Sequence, residues 1–291
     1  MQVTLVKTVG WVFEHLPLRV VKSITRLASR ISTSRSKVAR ANVTRNMRHV
    51  LANDSSEVSN DLAAAFRDRV FVEYANYWAE GAKLPALSKA RIVSNFSMSE
   101  GLEHLIDARK LGKGVIIVLP HIGSWEWGGA YLDSIGFGLT AVAEELEPPA
   151  LFEWFKKKRE AMGISIIGLN DRAGAILLNT LEQNKTVGLV SDRDIQNNGV
   201  EVIFFGERLT LPAGPAVMAL RTGAPLLTAA AYSGPHQGHH AVVNPPIPFE
   251  RSGKFRSDVS ALMQLVASEL EGLIRRAPEQ WHDLQPRFRR D

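Results

Sequence analysis

At 291 residues and 45% apolar content, the chain is long enough to bury a substantial core, as one large α/β domain or two small ones. It contains no cysteine, which excludes disulfides, thiolate metal sites and a cysteine nucleophile, and fits a reducing compartment such as the cytosolic side. The net charge of +5 is uneven: residues 1–50 hold ten Lys/Arg against the single acid Glu14, leaving a balance of −4 for the rest.

In chain order, the basic end comes first. Val6, Val9, Phe13, Val20, Ile24, Leu27 and Ile31 recur at helical spacing, with Lys22, Arg26 and Arg30 on a neighbouring face. The pattern suits an anionic membrane surface; a helix docked on the core with a solvated basic face is the alternative. No aromatic residues interleave the charges as in a nucleic-acid site, so no nucleic-acid partner is expected. Lys7, Glu14, Pro17 and Arg19 interrupt any signal-peptide apolar region, and the N-terminus is expected to be retained. No run reaches the roughly 18 apolar residues of a membrane span.

Residues 58–83 predict a further helix, with Leu62, Phe66, Val70, Tyr74 and Trp78 at every fourth position. Residues 1–85 are thus mostly helical. From 86 to 291 the pattern turns to strand and helix in alternation. "RIVSNFSM", "GVIIVLP", "LTAVAEE", "ISIIGL", "TVGLVSD", "PLLTAAAYS" and "HAVVNPPI" read as strands. "GLEHLIDARK", "PALFEWFKKKREAMG", "AGAILLNTLEQN", "PAGPAVMALRTG" and residues 257–276 read as helices. The expected fold is α/β, a central mostly parallel or mixed sheet flanked by helices, in a single domain over 1–291.

In open α/β sheets ligands gather at the carboxyl ends of strands. His121 stands there, just beyond "GVIIVLP", and Glu126 follows five residues later at a helix start. The carboxylate is expected to fold back on one ring nitrogen, leaving the other as a base; a structural histidine beside a strand is the competing reading. Asp192 ends "TVGLVSD" and by the same argument faces the same cleft, unless the Asp and Arg residues of that loop merely pair with each other. The other histidines (15, 49, 104, 236, 239, 240 and 282) form no ligand pair, "HQGHH" reads as a solvated turn, and no metal is expected. A G-x-S-x-G elbow and a dinucleotide fingerprint are both missing.

"LPHIGSWEWGGA" resembles the H-x-x-x-x-D/E motif of the bacterial lipid A lauroyl/myristoyl acyltransferase family, closest to its phosphatidylinositol mannoside acyltransferase branch. "SDRDIQNNGVEVIFFGERLTLPAGPAVMALRTGAPLL", "YANYWAEGAKLP" and "PEQWHDLQPRF" are similar to it as well, so the likeness runs from about residue 40 onward. The branch has Asp where this chain has Glu126. The resemblance implies a glycerolipid-acyltransferase-like fold and transfer of a fatty acyl chain, palmitoyl, from acyl-CoA to a mannose hydroxyl of a phosphatidylinositol mannoside. It also implies a peripheral position on the cytoplasmic face of the plasma membrane, with no cofactor beyond the acyl-CoA donor. A lipid A precursor as acceptor, and an acyl-CoA thioesterase, are the alternatives.

On that mechanism His121, oriented by Glu126, acts as general base on the acceptor hydroxyl, and no acyl-enzyme forms. Backbone N–H groups of Gly123 and Ser124 are the expected oxyanion donors. Asp192 is expected to assist His121, with Asp194 and Glu201 as alternates; Arg193 could instead attract phosphate. Arg159 and Arg172 are the candidates for substrate phosphates, and Glu144 matches an acidic position of the family's acceptor site. Phe204 and Phe205 line an acyl groove or fill core, with at least one expected in the core.

Overall fold

The computed structural model describes residues 2–52, 58–170, 172–234 and 238–288. His236 and the side chain of Arg35 lie outside the described residues. Four helices lead the chain: α1 (Gln2–His15), α2 (Leu18–Arg35), α3 (Lys37–Leu51) and α4 (Asn60–Lys83). Pro17, which cannot donate to a helical ladder, separates the first two. Ser36 and Ser59 cap α3 and α4 by accepting from the Ala39 and Leu62 N–H groups.

The buried face of α4 matches the expected one only in part, at Phe66 and Val70. Val70, Phe71, Ala75, Asn76, Ala79 and Glu80 are buried, whereas Leu62 and Trp78 are exposed. Steps of four residues advance about 40° beyond a full turn, so a stripe of four such steps drifts around the helix; a packed face alternates threes and fours.

The remaining elements are α5 (Lys89–Ser94), β1 (Phe96–Glu100), α6 (Leu102–Lys110), β2 (Val115–Leu119), α7 (Trp125–Ser134), β3 (Leu139–Ala143), α8 (Pro149–Glu160), β4 (Ile164–Gly168), α9 (Ala173–Glu182), β5 (Thr186–Val190), β6 (Val200–Phe204), β7 (Glu207–Leu211), α10 (Gly214–Thr222), β8 (Leu226–Ser233), β9 (His239–Val243) and α11 (Phe255–Arg276). "RIVS" is therefore helical, started by Ser88, whose hydroxyl accepts from the Arg91 N–H. His239 and His240 belong to β9 instead of a solvated turn, and His239 is buried.

The main sheet has the order β1-β9-β8-β2-β5-β3-β4. Its last five strands run parallel, while β9 opposes β8 and carries β1 with it. This is the mixed, mostly parallel sheet expected. The central strand β2, "VIIVL", is buried on both faces, as parallel strands under two helical layers require. Ile116 and Val118 pack with α10 and α11 residues such as Met218 and Leu270; Val115 and Ile117 pack against Leu105 and Leu132 of α6 and α7.

One hairpin went unread in the sequence. β6 and β7 form a separate two-stranded unit turned by Phe205 and Gly206, both at positive φ (50° and 81°), the geometry of a tight two-residue loop. Phe204 and Phe205 are both buried in the core around Trp281, so neither lines a groove.

Among the described residues no helix is long and apolar enough to cross a membrane. The apolar stripe of the first two helices nevertheless faces outward: Val6, Val9, Trp11 and Val12 on α1, and Val20, Ile24, Leu27 and Ile31 on α2, are exposed. The face of α2 that docks on α4 is the partly basic one. Lys22 Nζ lies 2.6 Å from Glu80 Oε1, Arg26 Nε donates to Asn76 Oδ1 (2.9 Å), and Ser29 Oγ donates to the Phe71 carbonyl. Docking through the apolar stripe is thereby excluded.

Candidate active site

In the parallel pair β2/β5 the register sets Leu119 opposite Val190. Two residues further on, at the carboxyl ends of both strands, His121 and Asp192 therefore stand at the same height. His121 Nδ1–H donates to Asp192 Oδ1 at 2.6 Å, and Asp192 Oδ2 accepts from the Trp281 indole N–H at 2.8 Å. Asp192 is fully buried; burial alone would lift its pKa, but His121, Arg193 and Arg287 outweigh it and hold the group far below the usual carboxylate range. An ionised carboxylate on Nδ1 fixes the tautomer and makes Nε2 the basic atom. The His121 side chain keeps 28% of its surface exposed, enough for that edge to meet a ligand.

Glu126 does not orient His121. Its Oε1 accepts from the Tyr77 hydroxyl (2.7 Å) and from Arg159 Nη2 (3.1 Å), and its buried Oε2 has no hydrogen-bond partner. As the second residue of α7 it faces α4 and α8, and the imidazole already has its carboxylate in Asp192. Arg159 lies over the Trp125 ring at 5.1 Å and the Phe155 ring at 5.9 Å. Burial opposes its charge, but Glu126 and Tyr77 more than offset this and hold its pKa above that of an ordinary arginine.

The expected oxyanion donors are already engaged. The Gly123 N–H donates to the Gln280 carbonyl (3.0 Å) and the Ser124 N–H to the Ala231 carbonyl (2.9 Å). Gly123 sits at φ 55°, and a Cβ there would meet the Ala231 oxygen at 2.1 Å, so only glycine passes this crossing. The loop is further held by residues 280–283. The His282 N–H donates to the His121 carbonyl (2.8 Å), and His282 Nε2–H to the Gly123 carbonyl (2.9 Å). Burial pushes the His282 imidazole down to about 4, so it remains neutral.

Arg193 is structural as well: it donates to the His282 carbonyl and approaches Asp283 at 3.6 Å, which spends the guanidinium on the same segment instead of a phosphate. Asp194 accepts from the Asn198 and Gly199 N–H groups and shapes its own turn. Glu201 lies on β6, exposed and paired with Arg208 at 3.1 Å, so neither alternate serves the imidazole. Glu144 follows β3, the strand beside β5, and is exposed at the same end of the sheet. Arg172 is exposed at the start of α9, one strand further along, after β4. The edge β2-β5-β3-β4 thus brings His121, Asp192, Glu144 and Arg172 to one rim in that order.

Beneath α7 lies an apolar cavity of about 50 Å³, which sequence reasoning missed. Trp125, Gly128, Gly129, Ala229 and Ala231 are among its walls. The signal was present as adjacent runs of small residues, "GG" on α7 and "AAA" on β8, which leave room where larger side chains would fill it. Tyr77, Trp281 and His282 were also missed, although each falls in a segment that carries the family likeness.

The bacterial lipid A biosynthesis acyltransferase family model matches residues 1–290. The phosphatidylinositol mannoside acyltransferase of Mycolicibacterium smegmatis is 33% identical over 248 residues, covering 84% of this chain and 78% of the relative. The protein of that name from Mycobacterium tuberculosis is 33% identical over 252 residues, covering 85% and 76%. With a match across nearly its whole length, the chain belongs to the bacterial lipid A biosynthesis acyltransferase family and is an acyltransferase.

Proposed function

We propose that the protein moves a fatty acyl chain, palmitoyl, from acyl-CoA to a mannose hydroxyl of a phosphatidylinositol mannoside, with His121 as general base. The observation that carries this reading is the 2.6 Å hydrogen bond from His121 Nδ1 to buried Asp192 at the open end of the sheet. Nε2 removes the hydroxyl proton as the oxygen attacks the thioester carbonyl. The C–O bond forms, the C–S bond breaks, and the imidazolium returns its proton to the departing thiolate. Ionised Asp192 stabilises the imidazolium in between. With Gly123 and Ser124 engaged, the free N–H groups of the first turn of α7, at Trp125 and Glu126, are the backbone donors for the oxyanion.

The cavity beneath α7, walled by apolar and small side chains and starting at Trp125, four residues after His121, offers apolar contacts to part of the acyl chain. Exposed Glu144 is placed to accept from sugar hydroxyls, and Arg159 and Arg172 to meet substrate phosphates. The names of the mycobacterial relatives support the mannosylated acceptor. The outward apolar stripe of α1 and α2 supports a peripheral seat on an anionic membrane, and an acyl-CoA donor puts that seat on the cytoplasmic face.

The test is transfer of labelled palmitoyl from palmitoyl-CoA to mannosylated phosphatidylinositol, with a lipid A precursor and a no-acceptor control beside it. Wild type is expected to acylate the mannoside, and His121→Ala to lower kcat by about 10²- to 10⁴-fold. Undiminished transfer by the variant removes His121 as the base. Equal thioester consumption with and without acceptor makes the protein a thioesterase.

A further inference from the structure

The carboxylate of the H-x-x-x-x-E motif and a tyrosine 49 residues upstream share one task. We infer that Glu126 and Tyr77 are positioning residues for Arg159: they hold its guanidinium over Trp125, so that its remaining N–H groups receive a phosphoryl group of a substrate. The inference rests on the acyl-transfer reading and specifies how that site takes an anionic substrate.

Glu126 is 5% exposed, and its Oε1 receives both the Tyr77 hydroxyl and Arg159 Nη2. A carboxylate buried this deeply needs a cation, and Arg159 is the one it meets. The guanidinium is held from two directions, by the Glu126 carboxylate and by the Trp125 and Phe155 rings over which it lies. Arg159 donates to Glu126 and is also hydrogen-bonded to the Tyr77 oxygen; the planar fork carries five N–H groups, so others remain, and such a fork matches a phosphate. The Arg159 side chain is 20% exposed, so the fork is not sealed.

Location distinguishes this cluster from an ordinary structural ion pair. Trp125 opens α7 and walls the apolar cavity, and Glu126 follows it. The Tyr77 ring packs at a tilt against His282, centroids 4.9 Å apart, and the His282 N–H holds the His121 carbonyl. Arg159 is thus tied to the loop that bears the base. Burial, with Glu126 beside it, raises the Tyr77 pKa well above 10, so the hydroxyl stays protonated and donates across the working range.

The phosphoryl group belongs either to the acceptor's phosphodiester or to coenzyme A, and two pairs of substrates separate them. The acceptor pair is mannosylated phosphatidylinositol and an uncharged alkyl mannoside. The donor pair is palmitoyl-CoA and palmitoyl-pantetheine, which lacks the phosphates. Steady-state kinetics of wild type, Tyr77→Phe, Glu126→Gln and Glu126→Asp are measured with each, together with kcat against pH. Expected for Tyr77→Phe and Glu126→Gln is a rise in KM of about 10-fold or more for the phosphate-bearing member of one pair. KM for the uncharged member and the pH profile of kcat stay at wild-type values, and Glu126→Asp recovers most of the loss.

A change in the kcat pH profile with KM unmoved would assign Glu126 to His121 and overturn the inference. Equal losses with charged and uncharged substrates would reduce the cluster to a fold element and overturn it too. Should wild type transfer nothing to the mannosylated lipid, the acceptor reading fails by itself. The donor pair, read as thioester consumption, still tests the Arg159 assignment.

Discussion

Buried groups around the His121 loop make stability fall as pH drops, in two separate windows. His282 has its pKa pushed from 6.5 to about 4 by burial, and burial lowers His239 too, against the pull of Glu80. Between pH 6.5 and 4 the unfolded chain therefore holds protons that the folded one refuses, and stability falls as pH drops through that window. For His282 the loss is on the order of 3 kcal/mol. Asp192 acts lower: its carboxylate, held down chiefly by His121 against burial, contributes stability that is fully present above about pH 4 and is lost below it. Denaturant titrations in detergent at a series of pH values should show both steps. His282→Gln, able to keep a donor to Gly123, should flatten the upper step and leave the lower. The pairing of His121 with Asp192 was legible in sequence because both directly follow apolar strands that proved to be parallel neighbours. The partner of Glu126 was not: sequence spacing offered His121 five residues away, whereas burial joined it to Tyr77 and Arg159 on two other helices.

Helix α2 was half legible. Its period was clear, but period alone does not say which stripe faces the protein, and here Lys22 and Arg26 face α4 while Ile24, Leu27 and Ile31 face out. With two cations engaged, membrane seating should depend more on apolar area than the charge count suggests. Sedimentation with anionic vesicles should weaken as salt rises but not vanish, and Leu27→Glu should reduce binding even at low salt. Complete release by salt, or no effect of Leu27→Glu, would place the contact elsewhere. The same helix is pinned by a buried cluster: Glu80, 3% exposed, meets Lys22 at 2.6 Å and His239 at 3.5 Å. Removing the carboxylate leaves Lys22 without its partner, so Glu80→Ala should cost about 3 to 5 kcal/mol in thermal or denaturant unfolding. The strands were read more faithfully than the helix faces, since the unbroken apolar run "VIIVL" follows directly from two-sided cover. The β6/β7 hairpin escaped because its turn uses Phe205 at positive φ, where glycine or asparagine is the usual sign.

At the scale of the whole molecule, the site is assembled from parts far apart in the chain. Residues 280–283 bond to the loop of residues 121–123 and to Asp192, and are themselves held by Arg193, Arg287 and Asn46 of α3. Trp281 is fully buried and supplies the second hydrogen bond to the Asp192 carboxylate. Trp281→Phe should keep the fold while leaving one buried oxygen without a donor, at a cost of about 1 to 3 kcal/mol. It should also lower kcat with little change in KM, measured in the same palmitoyl-CoA assay; an unchanged kcat would make the indole a packing group alone. Because residues 280–283 bond both to the His121 loop and to Asp192, one backbone cut just ahead of residue 280 should loosen both side chains together, although neither lies near the cut in sequence.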